Sequence, residues 1–424
     1  MASDKAKKIV KTKNLFLIAI IGFFIIMVLP TFIRYYSGNH TLIGAEAYQH
    51  IGAASVLMKT GSINMFNPPE NAKELVYATR TYSFSPYHYL LAYSGKIISL
   101  QAASRIVPLI LGLLSLLIFN ILLKTFVDEA YKRNIMLLLL LVNPAFIYTF
   151  TVSNPHAAAI FFSLLGIMFF TREKAYNIVL AAACFAIVSL FGLFNLLLAA
   201  FVLLAYVLIA KKLNSRLMIT SFLLAVFFFW KKTVFYQSYT YAPQMNILGN
   251  LISDLGGLTG FGIFTIMLAF YGIYSQWHKK EKFLTFFLVA ILLAASLFYV
   301  GNMVNAYLAF FVAIAAGAGM VNLLNANWDV RVIKNLTILI ILCGLLFSTV
   351  SYMTREVSMP PTQELVNALE WMRTNTFKDG TVLTHYENGY LVSALAKNTV
   401  LADSFLTSRY NQKFVYKTEE SMFY

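Results

Sequence analysis

The chain has 424 residues, of which 59% are hydrophobic and only 12% charged, with a formal charge of +15. Soluble domains carry about a quarter charged residues, so this composition excludes a water-soluble globular protein and makes lipid the main solvent. In hydrocarbon each backbone amide must be satisfied within its own segment, so repeated apolar runs of roughly 17 to 25 residues predict a helical bundle.

Lys5, Lys7, Lys8, Lys11 and Lys13 precede an apolar run over 14–33. The run is too long for a signal-peptide core and lacks a small-x-small cleavage site, so it reads as a retained first span, 15–33, with the N-terminus inside. An outer loop over 34–101 follows. Within it 45–59 has helical periodicity, with Ile51, Ala54, Ser55 and Met58 on one stripe. Asn67-Pro68-Pro69 breaks the chain, and Pro86 starts a second short helix over 87–99. Both are expected to lie at the interface, with Tyr82, Tyr87, Tyr89 and Tyr93 in the headgroup zone.

Spans two to six are expected over 102–126, 134–152, 157–170 and, divided near Phe191-Gly192, within 176–210. Spans seven to eleven are expected over 217–230, 258–274, 283–300, 305–324 and 335–352. The expectation is therefore an all-α polytopic membrane protein of about eleven spans, with a membrane domain over 1–352 and a second outer loop over 231–258. Every inner connection carries Lys or Arg, whereas the short outer turns at Ser153, Phe191 and Gly301 carry none. The positive charge is thus explained by topology, and no nucleic-acid partner is expected. Cys184 and Cys343 fall inside spans and read as packing residues.

The remaining segment, 353–424, has soluble composition and lies outside in this topology. Thr362 can cap a helix with Leu365, Leu369 and Met372 on one face, and 380–385, 389–397 and 399–402 read as strand, helix and strand. So short an α/β segment has little core of its own. It is expected either to dock on the outer loops or to be truncated at Tyr424.

Candidate chemistry gathers on the outer side, where His40, His50, His88, His156, His385, Glu46, Asp254, Glu387 and Asp403 all fall. Ionisable groups near a membrane are often functional because something must offset their desolvation. Glu46 stands out in Ile43-Gly44-Ala45-Glu46-Ala47-Tyr48-Gln49-His50, on the first turn of a helix where amide dipoles favour an anion. It could take a proton from an attacking group or bind a divalent metal. His50 lies four residues on, and His156 follows Pro155 at the mouth of span four, so Glu46 with His156 is a candidate metal pair. Arg80, Lys96, Arg105, Lys231 and Lys232 are outer cations that depart from the charge rule. A lipid-linked phosphate or ordinary phospholipid headgroups would account for them.

This layout resembles the GT-C glycosyltransferases, among them the catalytic subunit of oligosaccharyltransferase, the protein mannosyltransferases and the aminoarabinose transferases. The resemblance covers essentially the whole chain. Gly44-Ala45-Glu46-Ala47-Tyr48-Gln49-His50 is similar to the family's first-loop acidic motif, which assigns the metal-ligand or acid/base role to Glu46 with His50 beside it. Arg80 with Ser85-Pro86-Tyr87-His88 resembles the stretch opening the second interfacial helix. Asp254-Leu255-Gly256-Gly257 resembles a segment of archaeal members, and Thr384-His385-Tyr386-Glu387-Asn388-Gly389-Tyr390 with Asp403 the start of their soluble domain. The resemblance implies a polyprenyl-phosphate sugar donor held by Arg80, Arg105 and Lys232, donor or acceptor contacts at His88, Asp254 and Glu387, and Mg²⁺ or Mn²⁺ at Glu46 and His156. The acceptor would be a protein or lipid on the extracytoplasmic face of the cell membrane.

Three departures are visible. Asn154-Pro155-His156 stands where oligosaccharyltransferases carry an Asp-x-Asp-like pair, the acceptor-motif tryptophans are absent, and Asn302 and Asn305 stand where an arginine is expected. A transporter or flippase of lipid-linked sugars is the alternative of another class, disfavoured by the lack of internal repeats and of charged mid-span residues. A catalytically silent GT-C scaffold is the other.

Overall fold

The structure, a computed structural model, describes residues 2–60, 85–172, 174–210, 251–276, 303–376, 381–382, 384, 388–396 and 399–400, with isolated positions 223, 249, 290 and 291. The expected spans over 217–230 and 283–300 lie almost wholly outside these residues. So do Arg80, Lys231, Lys232, His385, Glu387 and Asp403.

Nine helices of the described part precede the second long loop: α1 (Ala2–Tyr36), α2 (Ala45–Thr60), α3 (Pro86–Ile98), α4 (Leu100–Leu123), α5 (Ala130–Leu141), α6 (Pro144–Thr151), α7 (Pro155–Phe170), α8 (Ala175–Phe191) and α9 (Leu193–Ala210). Four longer ones follow it, α10 (Ile263–Gln276), α11 (Met303–Asn325), α12 (Arg331–Val357) and α13 (Gln363–Asn375), and then a short helical stretch from Gly389 to Ala396. Among the described residues four helices are long and apolar enough to cross a membrane: Leu15–Tyr36, Leu100–Leu123, Val304–Asn325 and Arg331–Val357. Pro155–Phe170, Tyr176–Phe191 and Ile263–Gln276 are shorter apolar helices.

The expected single span over 134–152 is corrected: it is a broken pair, α5 and α6, bent by 66°. The cause is local. Pro144 has no amide hydrogen to continue the α5 ladder, and the Asn143 side chain instead accepts from Ala145 N at 3.1 Å and starts a new helix. Ser85-Pro86 and Asn154-Pro155 start α3 and α7 in the same way, their side chains accepting from Tyr87 N and Ala157 N. The division of 176–210 falls at Gly192, whose φ of 142° is the left-handed backbone that glycine tolerates best.

The bundle closes through α10 on α11, α7 on α8, α11 on α5 and α4 on α7. In lipid such association rests on close packing more than on apolar burial. A Cβ at Gly272 would stand 1.9 Å from the Ala315 carbonyl oxygen, so α10 and α11 are in backbone contact there. Phe119 and Phe310 pack edge to face at 5.0 Å between ring centres, and Phe146 meets Phe310 edge to face at 6.0 Å.

Helix α2 is packed on two sides. Ala54 and Leu57 belong to the main core, while Ala47 and Tyr48 pack against Leu369, Leu391, Val392 and Ala396 of the C-terminal segment. That segment contains α13, capped by Thr362 on Leu365 N, and a parallel pair of two-residue strands, β1 (Thr381–Val382) and β2 (Thr399–Val400), with Thr381 opposite Thr399. The docked segment therefore covers the Ala47–Tyr48 side of α2.

Arg34, 1% exposed at the end of α1, ties this end of the bundle together. Its guanidinium donates to the carbonyls of Val357 at 2.9 Å, Met359 at 2.5 Å, Leu42 at 3.3 Å and Pro361, and to Thr41 Oγ1 at 2.5 Å. The first long helix, the loop after it and the exit from α12 thus meet at one side chain.

Candidate functional site

Gly44, with φ of 82°, turns the chain into α2 and approaches Val152 so closely that an added Cβ would meet its Cγ1 at 3.3 Å. Glu46 is then presented in the first turn of α2 toward the end of α6. There the Tyr148 hydroxyl donates to Glu46 Oε1. Only the bend at Pro144 gives Tyr148 its own short helix, so this contact depends on the break in the span.

One turn later His50 is buried, and its Nδ1 lies 2.9 Å from Nε2 of His88 on α3. One ring donates and the other accepts, so each restricts the tautomer of its neighbour. Tyr87 sets its ring edge-on to His50 at 5.9 Å and shares a 2.7 Å hydrogen bond with Ser153 Oγ. His156, in the first turn of α7, is electrostatically coupled to His50. The Nδ1 atoms of His88 and His156 are buried and find no partner among the described residues.

Burial sets the proton affinities here. It raises that of the Glu46 carboxyl above the ordinary carboxylate range, while the hydrogen bond from Tyr148 works in the opposite direction. Burial also holds His50 well below the usual imidazole range, helped by the neighbouring His88 and His156. His88 is pushed down to about 4 by burial alone. A carboxylate with raised proton affinity beside neutral imidazoles can collect a proton from a nucleophile near neutral pH.

The sequence-derived candidates divide as follows. Glu46, His50, His88 and His156 come together around the ends of α2, α3, α6 and α7. Arg105 stands nearby on α4, donating to the carbonyls of His40 at 2.5 Å and Thr41 at 3.4 Å, and lines a small cavity with Thr41, Ser104, Thr151 and Ser153. Asp254 is engaged elsewhere: its Oδ2 accepts from Ile263 N at 2.7 Å, capping α10, and from Ser348 Oγ at 2.9 Å. Arg80, Lys232 and Glu387 lie outside the described residues. Tyr148 and Glu356 were missed by sequence reasoning, while Tyr87, expected in the headgroup zone, is fully buried here against Ser153 of the outer turn. Glu356 had a visible signal as the sole acidic residue of α12.

A divalent metal is implied by the resemblance, and the donor chemistry of a carboxylate and imidazoles would suit one. The residues expected to hold it, Glu46 and His156, supply two such donors. Among the described residues no group of three or more His, Cys, Asp or Glu side chains is arranged to hold a metal ion.

No family model and no curated protein matches the sequence. Solved structures do. The archaeal oligosaccharyltransferase AglB from Archaeoglobus fulgidus, in complex with an inhibitory peptide and a dolichol-phosphate, is similar with a TM-score of 0.61 and 14% identity, over 93% of this chain and 64% of that one. A complex of the A. fulgidus oligosaccharyltransferase with zinc and sulfate gives 0.64 and 15%, over 92% and 62%. ArnT from Cupriavidus metallidurans, bound to undecaprenyl phosphate, gives 0.59 and 12%, over 94% and 88%. The chain thus spans less than two thirds of the archaeal protein and most of ArnT. A single arrangement of helices covers over nine tenths of the chain in each comparison, and with its apolar helices the protein is an integral membrane protein with the fold of the GT-C glycosyltransferases.

Proposed function

We propose that the protein is a membrane glycosyltransferase that moves a sugar from a polyprenyl-phosphate-linked donor to a protein or lipid acceptor on the extracytoplasmic face. The observation that carries this reading is the Glu46 carboxylate, half-sheltered at one end of a GT-C bundle and held by Tyr148, with the His50–His88 pair one turn away. The charge pattern of the connections supports a cytoplasmic N-terminus, about eleven spans and an extracytoplasmic α/β segment after residue 352.

Glu46 is the general base. As the acceptor's oxygen or nitrogen forms its bond to the sugar C1, its proton passes to Glu46, and the C1–O bond to the carrier breaks. The carrier phosphate leaves with the electron pair. Arg105, whose guanidinium has donors to spare beyond its two backbone bonds, is the described residue suited to that phosphate, with Arg80 and Lys232 as its proposed partners. His50 orients the neighbouring imidazoles, and His88, with Glu387, is assigned to donor or acceptor contacts, while Asp254 caps α10. With fewer than three ligands gathered, no step runs through a metal ion.

The test is turnover of a radiolabelled polyprenyl-phosphate sugar by detergent-purified protein, wild type against Glu46→Gln, with and without Mg²⁺ or Mn²⁺. General-base loss lowers transfer by about 10²–10⁴-fold, and Gln keeps an acceptor for Tyr148. Undiminished transfer in the variant overturns the assignment of Glu46. Binding of the carrier without turnover by the wild type would make the protein a flippase or a silent scaffold.

A further inference from the structure

A second carboxyl is wired to the same short helix. Thr151 lies three residues after Tyr148 on α6, on the same face, and its hydroxyl donates to Glu356 Oε1 just as Tyr148 donates to Glu46. Glu356, in the last turn of α12, is 0% exposed. Its Oε2 has no hydrogen-bond partner among the described residues, and neither has the hydroxyl of Tyr352, which is also 0% exposed and lies one turn earlier on α12.

The groups facing Glu356 can be named from each element packed there. From α6 come Thr151 and Tyr148, the latter electrostatically coupled to both Glu356 and Glu46. From α12 comes Tyr352, electrostatically coupled to Glu356; Arg355 precedes Glu356 in the chain, and Arg34 of α1 reaches the carbonyl of Val357, the residue after it. Neither arginine forms an ion pair with Glu356 among the described residues. Arg34 gives its Nη1 and Nη2 to the oxygens of 41, 42, 357, 359 and 361, and its Nε finds no partner among the described residues. Arg355 turns to Ser253 Oγ at 2.8 Å and lies over the Tyr352 ring.

A carboxylate buried without a cation is costly, and in practice such a group keeps its proton. Each carboxyl accepts one hydroxyl hydrogen bond, and Glu46 differs in keeping partial exposure where Glu356 has none. We propose that Glu356 is a second titratable member of the Glu46 site, a positioning residue that holds its proton while Glu46 gives up its own. The neutral acid anchors the end of α6 through Thr151 and so keeps Tyr148 under Glu46. Ionised, it would set a second anion against Tyr148 and undo that arrangement. This inference rests on the proposed role of Glu46 for its kinetic consequences and on geometry alone for the protonation of Glu356.

Two readouts test it on the full-length purified protein. Infrared spectroscopy of the wild type at neutral pH is expected to show the C=O stretch of a protonated carboxylic acid that Glu356→Gln removes. Thr151→Val, which takes away its hydrogen bond, shifts the same band and supplies the test should Glu356→Gln fail to fold. A spectrum without such a band, or one that both variants leave intact, overturns the proposal.

In the transfer assay Glu356→Ala loses at least about tenfold at neutral pH, and Glu356→Gln restores most of the loss because an amide accepts from Thr151 as the neutral acid does. The wild type declines at alkaline pH and Glu356→Gln does not. Glu356→Gln as poor as the alanine variant at neutral pH, or sharing the alkaline decline, would show that the neutral acid is not the working form. If no form turns over lipid-linked sugar, the proposed function fails, and the infrared arm still decides the protonation of Glu356.

Discussion

Tyr148→Phe isolates the contact on which the proposed chemistry depends. The substitution keeps the ring, whose packing on α6 is shared with the main core, and deletes the hydroxyl that donates to Glu46. A hydrogen bond to a charged group contributes about 1.5–3 kcal/mol, and one pH unit corresponds to about 1.4 kcal/mol. The proton affinity of Glu46 should therefore rise by about one to two pH units. The sign follows from the two opposed influences: burial already raises Glu46, the tyrosine hydroxyl lowers it, and only burial remains in the variant. The acid limb of sugar transfer should move to higher pH by that amount. On the limb itself the rate falls about 10- to 100-fold and recovers as the pH is raised. The assay is the pH dependence of transfer from a radiolabelled polyprenyl-phosphate sugar, with Glu46→Gln as the control that has no such limb. An unmoved limb, a limb displaced to lower pH, or a loss that alkaline pH does not restore would refute the reasoning.

The buried imidazoles predict a separate dependence of stability on pH. His88 titrates near 6.5 when unfolded and near 4 when folded, so between these values the unfolded chain binds more protons. Stability should fall as the pH drops from about 6.5 toward 4, by on the order of 3 kcal/mol for this site. His88→Gln should flatten the fall when thermal unfolding in detergent is followed at both ends of the range, and an equally steep fall would exclude His88 as its source. Arg34→Met should lower the unfolding temperature and expose the chain near 358–362 to protease, because it leaves several buried carbonyls without donors, at a cost of about 3 kcal/mol or more. Arg34→Lys should rescue little, since an ammonium lacks the planar fork that reaches oxygens on two segments at once; a fully stable lysine variant would count against that account.

Much of the bundle was legible because hydropathy and punctuation act locally. The first long helix, the break at Gly192 and the Thr362 cap each follow from a short stretch of sequence read against its own backbone requirements. The bend between α5 and α6 was not legible from hydropathy, since the run is apolar throughout and transfer to lipid does not register an absent amide hydrogen. Asn143-Pro144 carried the signal, and it was the same Asx-or-Ser-Pro start that marks α3 and α7. The fate of α2 was hidden for another reason. Its apolar positions are set by two partners, the bundle on one side and Leu369, Leu391 and Val392 on the other, so no single stripe describes it.

The candidate site was half legible by the same logic. Glu46 and His50 share one helix, so their spacing could be read as proximity to each other. Their partners arrive from α3 and α6, and only the folded chain brings those elements together. Helix α6 has eight residues and so is roughly 12 Å long, yet it supplies the hydroxyl for each of the two carboxyls. A straight continuation of α5 would carry Tyr148 and Thr151 along the axis of the span. The 66° bend turns them instead toward α2 and α12. The break in the span is therefore the structural origin of the site, and the acid–base properties of Glu46 follow from a proline that hydropathy passes over.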